Sequence, residues 1–163
     1  MQIPEIQLSV PSKCFLFGEY AVLAKGPALL VTFPPNFELH AKQGLGTNPF
    51  HKDSPAGRFW QAEAQFFQGW QIHFSDPFLG AGGFGRSSAE FALLYILRAR
   101  IQGKSEANSL LAWGARAAFQ ALTEKDSSPP PSGIDIVAQI MARPPGVVLF
   151  ADPEHHTLQD LSG

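Results

Sequence analysis

The chain reads as an α+β domain, a single sheet with helices on one face. Two observations carry that expectation. Runs of strand length, either apolar or alternating, dominate the first part of the chain. Long Pro-free stretches with helical spacing dominate the later part. A third observation sets the scale: 163 residues, 45% of them hydrophobic, suffice for one packed core without disulfides or metals.

In chain order, residues 5–10 and 14–18 read as short strands interrupted by Pro11. Ala28 to Phe33 is an apolar run that stops at Pro34-Pro35, the mark of a buried strand. Phe37 to Ala41 alternates and reads as a half-buried strand. Residues 44–57 carry the Gly, Asn, Pro and Asp of a loop or irregular hairpin. Arg58 to Trp70 has helical spacing, with Trp60, Phe66, Phe67 and Trp70 read as core or interface, and Gln71 to Phe74 is a strand. The glycine-rich segment Gly80–Arg86 leads into a helix from Ser87 to about Ile101. A second helix spans Glu106 to about Thr123, and a third follows a Pro/Ser loop, from Gly133 to about Arg143. Val147 to Phe150 is a short buried strand, and His155-His156 belong to a polar tail.

Composition narrows the function classes. Twelve basic and 14 acidic residues give a formal charge of −2, which argues against nucleic acid as a partner. No stretch approaches the eighteen apolar residues of a membrane span, so no membrane is expected, and the N-terminus does not look like a signal peptide. A lone cysteine, Cys14, read as a small buried hydrophobe, points to a cytoplasmic location. Only 16% of residues are charged and 14 are Phe, which suggests extensive burial or a face awaiting a partner.

Three segments could carry chemistry. Pro11-Ser12-Lys13 places a lysine where two strands meet, able to meet a phosphate as a compact charge or simply to be solvated. Gly83-Phe84-Gly85-Arg86-Ser87-Ser88-Ala89 is a glycine loop opening a helix, whose free N–H groups suit a phosphate. The same residues also fit a capping box, with Ser87 as cap and Glu90 reaching back. Ser132-Gly133-Ile134-Asp135 puts a carboxylate in the first turn of a helix after a serine cap. That carboxylate could equally orient or deprotonate a substrate hydroxyl.

Taken in order, these segments resemble the GHMP kinases (galactokinase, homoserine kinase, mevalonate kinase, phosphomevalonate kinase). Phe17-Gly18-Glu19-Tyr20-Ala21-Val22-Leu23, followed by Gly26-Pro27, is most similar to the mevalonate and phosphomevalonate kinases. The resemblance implies a ribosomal protein S5 domain 2-like N-terminal domain over 1–163, with a mixed sheet and helices on one face. It implies ATP and Mg2+ as cofactors and a small-molecule alcohol or phosphate as acceptor in isoprenoid precursor synthesis. Asp135 would be catalytic, with Lys13 as its partner, and Gly83, Gly85, Arg86, Ser87 and Ser88 would bind phosphate. Ser87 takes the metal-binding position, although Arg86 and Ser88 depart from the family pattern and leave Ser87 and Ser88 as alternatives. Arg86 would touch phosphate or point to solvent. Glu124, eleven positions before Asp135, matches a magnesium ligand, or is an exposed residue at a helix end. Glu19, Tyr20 and Ser132 match the substrate pocket, although Glu19 or Tyr20 could instead fix the turn after the second strand.

The family continues into a second domain with a third glycine motif, which this sequence does not match. The expectation is an N-terminal half whose C-terminal domain is absent: cut from a longer enzyme, split from another chain, or a reduced relative. A missing domain, a protein partner or a second copy of the chain would cover the Phe-rich face. The competing reading is a noncatalytic binding or assembly module of the same fold.

Overall fold

The computed structural model describes residues 5–24, 26–126, 129–142, 147–152 and 157–160. His155 and His156 lie outside them. The spine of the sheet is β2 (Ala28–Gln43). β1 (Glu5–Phe17) pairs along one side of it from end to end. The other side is shared: Glu38–Gln43 pair with β3 (Trp70–Ser75), and Ala28–Thr32 pair with β4 (Val147–Asp152). β5 (Thr157–Asp160) pairs with β4 beyond. Every one of these pairings is antiparallel, so the expected mixed sheet is corrected to an antiparallel one.

The prolines do not end strands as expected. Pro11 pairs with Asn36 and Ser12 with Phe33, so Pro34 and Pro35 bulge out opposite the Pro11/Ser12 step. They also fall in the gap between the residues that pair with β4 and those that pair with β3. A residue without an N–H is tolerated there because no ladder bond is lost. Pro11 sits on a strand paired on one side only. Ser12 closes the bulge by donating its hydroxyl to the Pro35 carbonyl.

β2 alternates, burying Ala28, Leu30, Thr32, Phe37, Leu39 and Ala41 under the helices. α1 (Pro55–Ala62) starts earlier than its periodicity suggests, because Ser54 caps it and Pro55 suits a first helical position. It breaks at Glu63, α2 (Ala64–Phe67) is a single turn, and Trp70 opens β3 rather than closing a helix. α3 (Arg86–Ile101) is the central helix, with Phe91, Leu93, Leu94 and Leu97 fully buried. α4 (Asn108–Thr123) and α5 (Ile134–Met141) flank it, α5 burying Ile134, Ile136 and Val137.

The phenylalanines find one another within the chain. Phe59, Phe91 and Phe119 form a ring cluster, Phe37 stacks on Phe74, and Phe67 stacks on Trp60 at 4.8 Å. Intramolecular burial therefore accounts for many of them, while Phe17 is 71% exposed at the end of β1. Cys14 is half-buried rather than buried. Among the described residues no helix is long and apolar enough to cross a membrane.

Candidate functional site

The glycine loop is held from below. Asp76 accepts the amides of Phe78 and Gly80, both at 2.9 Å, and sits 3.4 Å from the Arg86 guanidinium. Gly85 then caps α3 in the left-handed conformation, φ +87°, which an L side chain rarely adopts. The capping box is not formed. Ser88, not Ser87, turns back, its buried hydroxyl donating to the Gly85 carbonyl at 2.9 Å. Glu90 instead takes Arg86 one turn earlier, at 2.9 Å. Burial pushes the Glu90 carboxyl above its ordinary range, and the Arg86 bond opposes that shift. The same bond raises the Arg86 guanidinium. Arg86 is exposed to solvent but tied back to Glu90 and Asp76. Ser87 is exposed, and its hydroxyl has no hydrogen-bond partner among the described residues.

Lys13 enters this loop from β1. Its amide donates to the Phe84 carbonyl at 3.1 Å. Its stem runs beneath Gly85, where a Cβ would come within 2.7 Å of Lys13 Cγ. The ammonium lies 3.6 Å from Asp135 Oδ2 and 4.5 Å from the Phe15 ring centre. Lys13 is only 8% exposed, and a buried cation needs such partners. The solvated-hairpin reading of Lys13 is therefore set aside.

Asp135 is delivered by the start of α5. The cap is Gly133, φ +65°, rather than the expected Ser132. The Ser132 carbonyl accepts from Arg116 Nε at 2.8 Å and Gln120 Nε2 at 3.3 Å, both on α4. Burial lowers the Arg116 guanidinium below its ordinary range. These donors on α4 fix the turn that aims Asp135 at Lys13.

A cavity of about 250 Å³ opens beside the pair. Glu19, Tyr20 and Ser132 line it together with Lys13 and Asp135, and Phe15, Leu23 and Phe119 supply apolar wall. Glu124 is exposed at the end of α4 and lines a separate cavity with Gln120, Ala121 and Pro130. Among the described residues no three His, Cys, Asp or Glu side chains are grouped to hold a metal. A phosphate-bearing ligand fits the donor set better: an open helix start, the free Ser87 hydroxyl and a lysine below.

Sequence reasoning missed Asp76, Arg116, Gln120 and Gln139. Gln139 had a usable signal, since it follows Asp135 by four positions and so shares its helix face. Asp76 also had a local signal, since Asp-Pro-Phe fits a turn in which the carboxylate accepts amides two and four residues on. Arg116 reaches Ser132, distant along the chain, and no local pattern marks it.

No family model matches the chain, and no curated protein matches it. Solved structures do match. Methanococcus jannaschii mevalonate kinase aligns with TM-score 0.69 over 98% of this chain and 56% of its own, at 15% identity. Streptococcus pneumoniae phosphomevalonate kinase gives 0.64 over 94% and 50%, at 18% identity. A structure of that enzyme with phosphomevalonate and AMPPNP gives 0.63 over 92% and 51%, at 16% identity. The chain spans about half the length of these structures. Across nearly its whole length, then, this chain has a fold similar to that of mevalonate and phosphomevalonate kinases, and its structural neighbours are GHMP kinases.

Proposed function

We propose that the chain is the nucleotide-binding part of a GHMP-type small-molecule kinase, a ribosomal protein S5 domain 2-like N-terminal domain. It would pass the γ-phosphoryl group of ATP to a small acceptor. The observation that carries this reading is the Lys13–Asp135 pair, 3.6 Å apart and lining a cavity, with the Lys13 stem packed under Gly85 at the start of α3. Gly83 and Gly85 let the backbone approach the phosphates, and the first amides of α3 meet their charge. Ser88 is already bonded to Gly85, which favours Ser87 as the hydroxyl offered to a phosphate oxygen or to magnesium. Magnesium takes few protein ligands and keeps water and phosphate oxygens, so Ser87 suits it without a carboxylate cluster. When bound, it neutralises charge on the transferring phosphates. Glu124 would join it only as the resemblance implies, since it lines another cavity.

The chain's own chemistry is short. Asp135 orients the acceptor hydroxyl and takes its proton as the oxygen bonds to the γ-phosphorus and ADP leaves. Lys13 stabilises the charge gathering between acceptor oxygen and phosphoryl group. Lys13 is already balanced by Asp135, Glu19 adds negative charge, and no second cation lines the cavity among the described residues. The acceptor is a hydroxyl on a small molecule, mevalonate-like, with a phosphate as the alternative.

The test offers ATP and magnesium with mevalonate or phosphomevalonate and follows ADP release, with Asp135→Asn as control. Turnover on the alcohol that the variant lacks supports the reading, and equal turnover by both proteins sinks the catalytic assignment. ATP binding without turnover, lost in Lys13→Met, would mark an enzyme completed by other residues. No ATP binding at all would leave the noncatalytic module.

A further inference from the structure

We propose that Gln139 is a positioning residue that locks together the three segments carrying the site, an inference resting on the kinase reading above. Gln139 lies on α5 one turn beyond Asp135, on the same face. It is 1% exposed, an amide inside the core whose Oε1 has no hydrogen-bond partner among the described residues, so it is held there through its Nε2. Its Nε2 donates twice, to the Pro11 carbonyl at 2.9 Å and to the Gly85 carbonyl at 3.2 Å.

Pro11 stands two residues before Lys13, and Gly85 two residues before Ser87. One side chain therefore touches the strand bearing Lys13 and the cap of the phosphate loop, and belongs to the helix bearing Asp135. The other links join two segments each: the Lys13 amide to Phe84, and the Lys13 ammonium to Asp135. The Gly85 carbonyl is a node, also accepting the Ala89 amide and the Ser88 hydroxyl, each at 2.9 Å. A Cβ on Gly85 would meet both Lys13 Cγ at 2.7 Å and Gln139 Nε2 at 3.1 Å, so the three groups are packed in contact. Both acceptors are carbonyls, so only a donor works at this position. Gln139 faces no reacting atom. It sets the separation of groups that do, and phosphoryl transfer depends on such placement.

The test compares the wild-type chain with Gln139→Met, which keeps the length and loses the donor. Val137→Ala is the control, a buried change on the same helix. Two readouts are taken: hydrogen exchange at the Lys13 and Ala89 amides, and affinity for AMPPNP with magnesium. Gln139→Met should speed exchange at both amides about tenfold beyond what Val137→Ala does, and weaken AMPPNP by a similar factor. Exchange or affinity no different from the control overturns the inference. If Gln139→Met does not fold, native-state exchange of the wild type decides. The Lys13, Ala89 and Gln139 amides should then open as one unit, and separate openings overturn it. A wild-type chain that binds no AMPPNP sinks the kinase reading, while the exchange data still judge the lock.

Discussion

Helices in this molecule begin in two ways. α1 closes its own first turn: Ser54 Oγ accepts the Gly57 amide at 3.0 Å, and Pro55 occupies a position where its missing N–H costs nothing. α3 and α5 each start on a left-handed glycine and have no side chain across the first turn from the cap. The first arrangement is self-sufficient. At α3 the second leaves donors and a dipole unanswered, which suits a start that meets a ligand, whereas at α5 Ser132 Oγ accepts the Ile134 amide at 3.4 Å and Asp135 Oδ1 the Ile136 amide at 3.1 Å. An open start alone does not mark a site, because α4 also lacks a side-chain cap and its first turn simply faces water. What separates α3 and α5 is the buried side chain of Lys13, whose stem runs beneath the cap of one and whose ammonium pairs with the first turn of the other.

Four substitutions test that contrast. The largest effect is expected from Asp135→Asn, which keeps the shape of α5 and removes the charge. Phosphoryl transfer should fall by about 100-fold or more, read as ADP release at a temperature where the variant stays folded, and the melting temperature should drop as well because buried Lys13 loses its charge partner. Gly85→Ala comes next, because the new methyl meets Lys13 and the backbone cannot relax at φ +87°. It should cost about 1–3 kcal/mol in denaturant unfolding and also weaken nucleotide binding. Ser54→Ala should cost about 1 kcal/mol and leave ATP affinity untouched, since its hydroxyl bonds the Gly57 amide and the His51 carbonyl, away from the site. Ser87→Ala should do the reverse, with stability within about 0.5 kcal/mol and nucleotide affinity reduced. If Ser87→Ala instead destabilises as Ser54→Ala does, the distinction between the two kinds of start collapses.

The parts of the site that the sequence made legible are the local ones. Lys13, the glycine loop and Asp135 each sit in a short pattern whose geometry follows from adjacent residues. Their convergence needed three dimensions. Ser87 and Glu90 are spaced as a capping box, yet Arg86 and Glu90 are spaced as an i, i+4 ion pair, and the ion pair forms. Pro11 and Pro34-Pro35 looked like strand ends because a proline is judged locally, whereas the β1–β2 register makes them one shared bulge. β5 escaped notice because four residues carry too little periodicity, and its partner strand supplies the order. The antiparallel character of the whole sheet is likewise a property of pairing, which no single segment encodes.

The shared side of β2 also has a kinetic consequence. β1 and β2 are joined by a short connection, so their pairing closes a small loop and should form early. The other partner of the same strand end arrives from far along the chain, with Ala28 waiting for Ala151. Lys13 is thus placed at the start of folding, whereas Asp135, carried on the helix just before β4, can join it only late. In a refolding experiment, amide protection across β1 and β2 should precede recovery of nucleotide binding, and simultaneous recovery would contradict that order. A chain still being folded would hold its cation in place before the acid arrives to pair with it.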